Sequence, residues 1–344
     1  FKGSWLSIWL KELGAEVLGY SLEPPTKPNN FDASNLTSKI TDVRGDIRNF
    51  SYLKDIFSEF QPEIVFHLAA QSLVRRSYEE PRITFETNVI GTVNMFEVVR
   101  TTPSVRVFIN VTSDKCYENR EWKWGYRETD RLGGYDSYSS SKACAEMVSQ
   151  AYIKSFFERK SIGIASVRAG NVIGGGDWGT DRLLPDCIRA LVDNNTILIR
   201  NSRAIRPWQF VLEPLYGYLL LAAKLFEEPK DYMGAWNFGP NNRGCIPVSE
   251  VVDKVIARWG QGRWKEVSTD EVIDNKHEMS SLRLNCDKAY SFLKWQCVLD
   301  IDSAIKMAVD WYKTFYRSSD MGMYNYCVTQ INEYTQAVEV KTKV

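Results

Sequence analysis

Histidine is scarce in this sequence, and cysteine never occurs in a metal-binding pattern. The chain has 2 histidines and 7 cysteines in 344 residues, and no two cysteines form a C-x-x-C pair. Zinc sites draw their ligands from clustered Cys and His, so no metal site is predicted. An odd number of scattered cysteines also argues against a disulfide framework and indicates reduced thiols in the cytosol.

The sequence also lacks an excess of one charge and a long apolar run. Its 43 basic residues balance its 43 acidic residues, so any phosphate must be recognised by a few local groups rather than by bulk charge. The longest apolar run, Leu215 to Phe226, has about 12 residues, whereas a membrane helix needs about 20. No nucleic-acid or membrane partner is predicted, and this run is interpreted as a buried helix.

Short apolar runs alternate with helical patterns through the first half of the chain. The runs that predict strands are residues 15–21, 40–46, 63–70, 105–113 and 162–170. Between most of them, apolar residues recur three and four positions apart, as in an amphipathic helix. This alternation predicts an α/β fold whose parallel sheet carries helices on both faces and binds ligands at the carboxyl ends of its strands.

After about residue 170 the alternation of strands and helices becomes irregular. This region begins with a Gly-rich connection, and such a change is typical of an inserted lobe. The predicted domains are 1–170 plus 207–233 for the sheet domain, 171–206 plus 234–320 for a smaller mixed α/β substrate-binding lobe, and 321–344 for a C-terminal tail. The tail is expected to form a final helix.

The stretch "YDSYSSSKACAEMVSQAY" predicts a helix over residues 138–155. Its expected core face carries Cys144, Met147, Val148, Ala151 and Tyr152. Tyr138 and Lys142 are four residues apart and therefore lie one turn apart on the same side. An ammonium near a phenol favours the phenolate, so the pKa of Tyr138 is expected to fall toward neutrality and to suit proton transfer. A surface Tyr-Lys pair at this common spacing is the alternative.

A second candidate site is "NVTSDKCYEN", residues 110–119, where an apolar run ends at Asp114 and Lys115. An acid and a base at the end of a buried strand indicate either a solvated turn or a pair of catalytic residues in an active site.

Motifs spread along most of the chain resemble those of the extended short-chain dehydrogenase/reductase family. They are "GDIRN" (45–49), "HLAAQS" (67–72), "NVIGT" (88–92), "TSDKCYEN" (112–119), "YSSSK" (138–142), "RAGNVIGGGDW" (168–178), "RPWQFV" (206–211) and "WNFGP" (236–240). Within that family the sequence looks most like the nucleotide-sugar 4,6-dehydratases. The Asp-Lys pair, with "FKGSW" and "GYSLEPPT", is similar to members that act on CDP-D-glucose.

This resemblance implies a Rossmann-type doubly wound sheet, catalytic NAD and a nucleotide-sugar substrate used in deoxysugar biosynthesis for surface polysaccharide. It further implies a cytoplasmic homo-oligomer, a dimer or tetramer. Tyr138 would take the proton of the 4-hydroxyl with help from Lys142 and Ser113. Asp114 would protonate the departing 6-hydroxyl. Lys115 would remove the C5 proton or only stabilise an enolate.

The resemblance also assigns binding residues. The cofactor positions are Gly3, Asp46, Ile47, Leu68, Ala69, Ala70 and Asn88, with Tyr138 and Lys142. The substrate positions are Asn171, Arg182 and Arg206. Asn88 could equally serve as a helix cap. Gly3 would be the remnant of a Gly-rich turn, with the first strand expected upstream of residue 1. The residues themselves do not decide whether the cofactor is NAD or NADP, because Ser21 stands where a ribose-binding Asp is usual.

Neither histidine receives a catalytic role. His67 lies in a predicted strand and is expected to be a satisfied buried imidazole, and His277 is assigned no function. The alternatives to the main interpretation are a dTDP-glucose or GDP-mannose 4,6-dehydratase, a nucleotide-sugar 4-epimerase, and a non-catalytic NAD-binding regulator. An epimerase has no use for the adjacent acid and base, and a regulator has no use for the Tyr-Lys pair.

Overall fold

The computed structural model of the chain describes residues 1–240, 244–267, 282–317 and 322–342. The strands are β1 (Leu18–Ser21), β2 (Thr41–Arg44), β3 (Ile64–His67), β4 (Val107–Val111), β5 (Gly163–Ala169), β6 (Val172–Ile173), β7 (Ile197–Ile199), β8 (Ile205–Pro207), β9 (Gln209–Phe210), β10 (Gly234–Phe238), β11 (Cys245–Pro247) and β12 (Trp264–Glu266). The helices are α1 (Lys2–Glu12), α2 (Asn30–Ala33), α3 (Phe50–Phe60), α4 (Val74–Glu79), α5 (Pro81–Phe85), α6 (Gly91–Thr101), α7 (Ser137–Tyr152), α8 (Leu183–Val192), α9 (Leu212–Glu227), α10 (Pro229–Tyr232), α11 (Val248–Trp259), α12 (Asp287–Leu293), α13 (Ile301–Arg317) and α14 (Met323–Thr342).

The main sheet has 4 parallel strands in the order β10-β5-β4-β3, and β1 pairs in parallel with β2. Every residue of β4 and β5 is buried, as is usual for strands of a parallel sheet covered on both faces. Each of the five runs predicted as strands contains one of β1 to β5. The α/β fold class with a parallel sheet is confirmed.

One part of the predicted domain division is wrong. Residues 234–320 were assigned to the lobe, but β10 pairs along its whole length with β5 in the main sheet. Helix α9 packs on β4 and β5, so the strand that follows it returns to the open edge of β5, as crossover connections usually do. A short buried strand has the same sequence pattern in the main sheet and in the lobe. Only the packing of α9 decides to which of the two β10 belongs.

The region between β5 and α14 contributes several small strand pairs. β6 pairs with β9 and β7 with β12 in parallel, whereas β8 and β11 are antiparallel. Helices α11 and α13 pack on each other, and α11 also packs on α8. Among the described residues, no helix combines the length and hydrophobicity that crossing a membrane requires.

Helix α7 buries a different face from the predicted one. Met147 is 59% exposed, and Ala151 is also exposed. The buried residues are Tyr138, Ser139, Ser141, Lys142, Ala143, Ala145, Glu146 and Ser149. Polar side chains can occupy this face because they find partners there: Ser149, for example, accepts a hydrogen bond from Asn110 of β4 at 2.9 Å. Apolar periodicity cannot report such pairing. The predicted core face is therefore wrong for Met147 and Ala151, whereas Val148 and Tyr152 pack half-buried against the core.

The C-terminal helix α14 packs against α1 and α13. Tyr334 meets the indole of Trp9 edge to face at 5.9 Å, and Tyr324 donates a hydrogen bond to Glu12 at 2.7 Å. The final helix expected from the sequence is therefore present and supports the first helix of the chain.

Glu213 on α9 is a buried carboxyl that ties α9 to α14. It is 1% exposed. It accepts hydrogen bonds from the backbone N–H groups of Val298 at 2.9 Å and Leu299 at 2.7 Å, and from the hydroxyl of Tyr334 at 2.8 Å. Burial raises its pKa from 4.5 to about 7, since removing water penalises the charged form.

This pKa predicts a pH-dependent stability. Glu213 binds more protons in the folded than in the unfolded chain between pH 4.5 and about 7, so its contribution to the free energy of unfolding should fall as pH rises through that window. Glu213→Gln keeps an acceptor for the N–H groups but cannot ionise, so it should remove up to roughly 3 kcal/mol of that fall. Urea unfolding at several pH values measures the slope. Glu16→Gln, at an exposed position, is the control, and an unchanged slope in the Glu213 variant would contradict the prediction.

Candidate active site

A cleft of about 2810 Å³ runs along the carboxyl ends of the parallel strands. The predicted site residues that line it are Gly3, Asp46, Ile47, Leu68, Ala69, Ala70, Ser113, Asp114, Lys115, Tyr138, Lys142, Asn171, Arg182 and Arg206. The fold thus brings together residues that are far apart in the chain, at the edge where parallel sheets bind ligands.

The residues after β4 form one 3₁₀ turn, Asp114–Cys116. Ser113 is extended and caps this turn, since its hydroxyl accepts a hydrogen bond from the N–H of Lys115 at 3.2 Å. The same hydroxyl donates to the carboxyl of Asp114 at 3.0 Å. This turn holds an alcohol, an acid and an amine side by side on the wall of the cleft.

Asp114 has the environment of a proton donor. It is 5% exposed, and burial raises its pKa although Lys115 and Ser113 oppose that shift. A raised pKa favours the protonated carboxyl, which can give a proton to a leaving hydroxyl. Lys115 is half-buried and reaches the same cleft.

Helix α7 presents Tyr138 and Lys142 to the cleft. The helix begins after Asp136, whose carboxylate accepts hydrogen bonds from the N–H of Ser139 at 2.9 Å and from its hydroxyl at 2.7 Å, a common N-cap arrangement. Tyr138 is 8% exposed and Lys142 is 6% exposed. The ammonium of Lys142 donates to the carbonyl of Val111, the last residue of β4, at 3.3 Å. The surface alternative is excluded for this pair.

The charge states of this pair differ from the expectation. Burial raises the pKa of Tyr138 to about 12, and the group that opposes this most is the Ser113 hydroxyl, not Lys142. Burial lowers the pKa of Lys142 to about 8, against the influence of Glu146 and Cys116. The expected fall of the Tyr138 pKa is therefore wrong for the protein residues alone. Sequence spacing shows which groups are neighbours but not how much water each of them loses.

The first turn of α1 suits a phosphate of a dinucleotide such as NAD. Gly3 is exposed to the cleft, and a Cβ built there meets nothing within 4 Å. The N–H groups of the first helical turn have no acceptor within the helix and carry its positive dipole end. The residues present fit NAD, with Leu68, Ala69 and Ala70 following β3 along the same wall.

Asp46 and Ile47 follow β2 at one end of the cleft. The carboxylate of Asp46 is held by Arg48, which donates from its backbone N–H at 2.9 Å and its side chain at 3.0 Å. These bonds lower the pKa of Asp46. Ile47 is 5% exposed and packs so closely on Gly91 that a Cβ on this glycine would lie 2.4 Å from it.

Asn88 neither caps a helix nor lines the cleft. It lies within the π-helical turn Glu86–Ile90 and is 2% exposed. Its side chain accepts a hydrogen bond from the N–H of Gln71 at 2.8 Å and donates to Gln71 at 3.0 Å and to Ser141 at 2.8 Å. The cap alternative is therefore wrong, and Asn88 joins the loop after β3 to α7, whereas its contact with the cofactor stays a prediction.

The residues predicted to bind the substrate also line the cleft. Arg182 donates to Asp177 at 2.8 Å and to Ser72 at 3.1 Å, so it connects the lobe to the loop after β3. Asn171 follows β5, and Arg206 lies in β8. The two arginines can bind a diphosphate through charge-assisted hydrogen bonds.

The main feature that sequence reasoning missed is a buried ion pair behind the turn. Glu146 and Arg168 are both 0% exposed and lie 2.7 Å apart. The signal was available in the spacing, because Glu146 follows Lys142 by four residues and Lys142 follows Tyr138 by four. All three side chains therefore project from one side of α7.

His67 is a buried imidazole with partners, as predicted. It is 4% exposed, meets the hydroxyl of Thr92 at 3.2 Å and stacks on Phe108 at 6.3 Å. Burial lowers its pKa to about 3. His277 lies outside the described residues, within which no group of three or more His, Cys, Asp or Glu is placed to hold a metal.

Known proteins resemble this chain over most of its length. CDP-glucose 4,6-dehydratase of Salmonella typhimurium is 47% identical over 330 residues, which is 93% of this chain and 90% of that protein. A dTDP-glucose 4,6-dehydratase of Streptomyces venezuelae, solved with NAD and TYD bound, has a TM-score of 0.78 at 20% identity and covers 91% of this chain and 94% of its own. UDP-glucose 4-epimerase of Thermotoga maritima has a TM-score of 0.77 at 21% identity, covering 92% and 97%.

The similarity to the two solved structures shows the Rossmann-type fold, and the sequence identity to the Salmonella protein shows membership of the same family. The family described as GDP-mannose 4,6 dehydratase matches residues 1–308, which include all the site residues considered above. The chain therefore belongs to the GDP-mannose 4,6-dehydratase family, in agreement with the resemblance seen in its motifs.

Proposed function

We propose that this chain is an NAD-dependent 4,6-dehydratase that converts CDP-D-glucose to CDP-4-keto-6-deoxy-D-glucose. The observation that carries the proposal is the turn after β4, where Asp114 and Lys115 stand beside Ser113 on the cleft wall that also holds Tyr138 and Lys142. The 47% identity to the Salmonella CDP-glucose enzyme supports the choice of nucleotide.

Oxidation at C4 of the hexose needs a group that takes the proton of the 4-hydroxyl. Tyr138 takes that proton, and the Ser113 hydroxyl, which lowers the pKa of Tyr138, hydrogen-bonds the reacting oxygen. Lys142, one turn along α7, supplies a positive charge that favours the phenolate. NAD bound in the cleft would supply the acceptor for the C4 hydride and, once reduced, the hydride that C6 needs.

Elimination follows because the new ketone makes the C5 hydrogen acidic. Asp114, whose buried carboxyl is biased toward its protonated form, donates a proton to the 6-hydroxyl, which leaves as water. Lys115 acts on the C5 side of the same bond and removes the proton or stabilises the enolate, and C5 regains a proton when hydride is added at C6. An acid and a base on neighbouring residues suit this elimination, because the hydroxyl and the proton leave from the neighbouring carbons C6 and C5.

A panel of nucleotide hexoses tests this function. Incubation with CDP-, dTDP-, UDP- and GDP-hexoses should give a 4-keto-6-deoxy product from CDP-D-glucose, and deuterium placed at C4 should appear at C6 of the same molecule in mass spectra. Product from dTDP-glucose or GDP-mannose alone would change the nucleotide. An epimer with its 6-hydroxyl intact would identify a 4-epimerase. If no sugar gave a product, the remaining alternative would be a non-catalytic NAD-binding regulator.

Lys115→Met separates elimination from oxidation. Removing the amine should slow formation of the 4-keto-6-deoxy product by roughly 100- to 10,000-fold, the usual contribution of a positioned acid or base. Reduction of bound NAD by CDP-D-glucose, followed by nicotinamide absorbance, should remain measurable. Lys123→Met, at an exposed position, is the control. Full activity in the Lys115 variant would contradict the assigned role.

We also propose that the protein is a cytoplasmic homo-oligomer that serves deoxysugar synthesis for surface polysaccharide. The cysteines are free thiols, which suits a reducing compartment. The outer side of α7 and the neighbouring π-helical turn expose Met147 at 59% and Ile90 at 52%, apolar surface of the kind that subunit contacts cover.

A charge placed on this outer surface should dissociate the oligomer. Met147→Glu should lower the mass measured by light scattering toward that of one chain, because a carboxylate would be buried without a partner in the interface. Val340→Glu on α14, 66% exposed, is the matched control and should leave the mass unchanged. A wild-type protein that scatters as a single chain would contradict the proposal.

A further inference from the structure

A fully buried ion pair lies behind the catalytic turn. Glu146 projects from α7 one turn beyond Lys142, and Arg168 projects from β5. Their charged groups meet at 2.7 Å and both side chains are 0% exposed. Replacing such a pair with apolar residues is often neutral or stabilising, because burying charge costs about as much as the pairing returns. Stability alone is therefore a weak reason for these charges to be here.

The hydrogen bonds of the pair enclose the catalytic turn from both sides. Glu146 accepts a hydrogen bond from the hydroxyl of Thr112, which directly precedes Ser113. Arg168 donates to the hydroxyl of Tyr117, which directly follows the turn, at 2.6 Å. The turn that carries Asp114 and Lys115 is thus held at its entrance by the carboxylate and at its exit by the guanidinium.

Glu146 remains ionised in this position. Burial by itself would raise the pKa of Glu146, but Arg168 and hydrogen bonds from Ser166 and Thr112 hold it below its ordinary value. The bond from the Ser166 hydroxyl measures 2.7 Å. A full negative charge therefore lies one helical turn from the ammonium of Lys142.

That charge acts on a lysine that burial would otherwise discharge. The titratable groups around Lys142 are Tyr138 and Glu146 on its own helix, Cys116 on the turn, Lys2 on α1 and His67 on β3. Burial raises the pKa of Tyr138 to about 12, so this phenol is neutral near pH 7. Burial raises the pKa of the Cys116 thiol and lowers that of His67 to about 3, so both are neutral near pH 7. Lys2 is a cation and opposes the charge on Lys142. Glu146 is the carboxylate in this group.

We infer that Glu146, held by Arg168, is a positioning residue that keeps Lys142 charged and keeps the turn from Ser113 to Cys116 aligned with Tyr138. The inference rests on the proposed function for its kinetic readout, but the charge of Lys142 can be measured without any turnover. The pair touches neither substrate nor cofactor and acts only through the groups that do.

The first test is Glu146→Gln, which keeps hydrogen-bonding atoms but removes the charge. In protein labelled with carbon-13 at the lysine ε-carbon, the Lys142 signal is assigned by its loss in Lys142→Met. Its titration midpoint should fall by about one unit or more in the Gln variant, as expected for loss of an opposite charge one helical turn away. The high-pH limb of the kcat profile with CDP-D-glucose should move by the same amount, while KM stays unchanged. An unmoved midpoint would overturn the inference.

Because Glu146→Gln leaves Arg168 buried without its counter-charge, the single variant can unfold for that reason alone. The double variant Glu146→Met/Arg168→Met removes both charges and should fold, as thermal unfolding will show. It should still show the lowered Lys142 midpoint, and a one-unit fall from about 8 should reduce kcat about twofold at pH 7 and about fivefold at pH 8. A folded double variant with the wild-type midpoint and kcat would show that the pair is only structural and would overturn the inference.

Alignment is separated from charge by Thr112→Val and Tyr117→Phe, which remove one hydroxyl each. Both should lower kcat without moving the Lys142 midpoint, and unchanged kcat in both would overturn the alignment role. Glu97→Gln, which breaks an ion pair with Arg100 on α6 at 2.6 Å, is the control and should change neither quantity. If wild-type protein makes no product from CDP-D-glucose, the proposed function fails, whereas the lysine titration still decides the charge role of Glu146.

Discussion

The contact between Glu146 and Arg168 joins α7 to β5 at the level where β4 ends. Three elements that are distant in the chain are thereby held in one arrangement, and each contributes part of the active site. α7 carries the phenol and the amine, β4 leads into the turn with the acid and the second amine, and β5 leads into the substrate side. A parallel sheet makes this convergence possible, because all its strands end at the same edge.

Burial has one consistent effect on the ionisable groups of this site, which is to favour their neutral forms. It raises the pKa of Asp114 and Tyr138 and lowers that of Lys142 from 10.5 to about 8. For Lys142 this corresponds to roughly 3 kcal/mol against the charged form. A neutral carboxyl suits a proton donor, whereas a phenol that must lose a proton needs nearby positive charge. The same dry environment therefore helps one residue and hinders another, and buried counter-charges decide the balance.

The walls of the cleft are held both by a residue that lines it and by a helix at the end of the chain. Arg182 connects Asp177 of the lobe with Ser72 of the loop after β3, so the two sides of the cleft are tied together by a residue that we propose binds the substrate. At the opposite end, α14 packs on α1, the helix whose first turn suits a phosphate. Glu213 anchors α14 through Tyr334. The position of α1, the helix proposed to hold the cofactor phosphate, thus depends on the last part of the chain.

The elements that follow from local pattern were predicted well. The apolar run from Leu215 to Phe226 lies within helix α9, as predicted, and each of β1 to β5 lies within a run of apolar residues. The failures occur where a long-range partner changes the meaning of a local pattern. On α7 the polar face is the buried one, because Asn110, Ser166 and Arg168 satisfy it. Asn88 is a residue type that often caps helices, but its side chain forms hydrogen bonds with a loop and with another helix instead.

The order of strands and helices was determined by the sequence alone, and so was the placement of Tyr138 and Lys142 on one side of a helix. Both follow from the geometry of neighbouring residues along the backbone. Which of these groups carries a charge was decided only by the tertiary structure. A charge state depends on the water that folding removes and on counter-charges such as Glu146 and Arg168, which come from separate segments and meet only when α7 packs across the ends of β4 and β5.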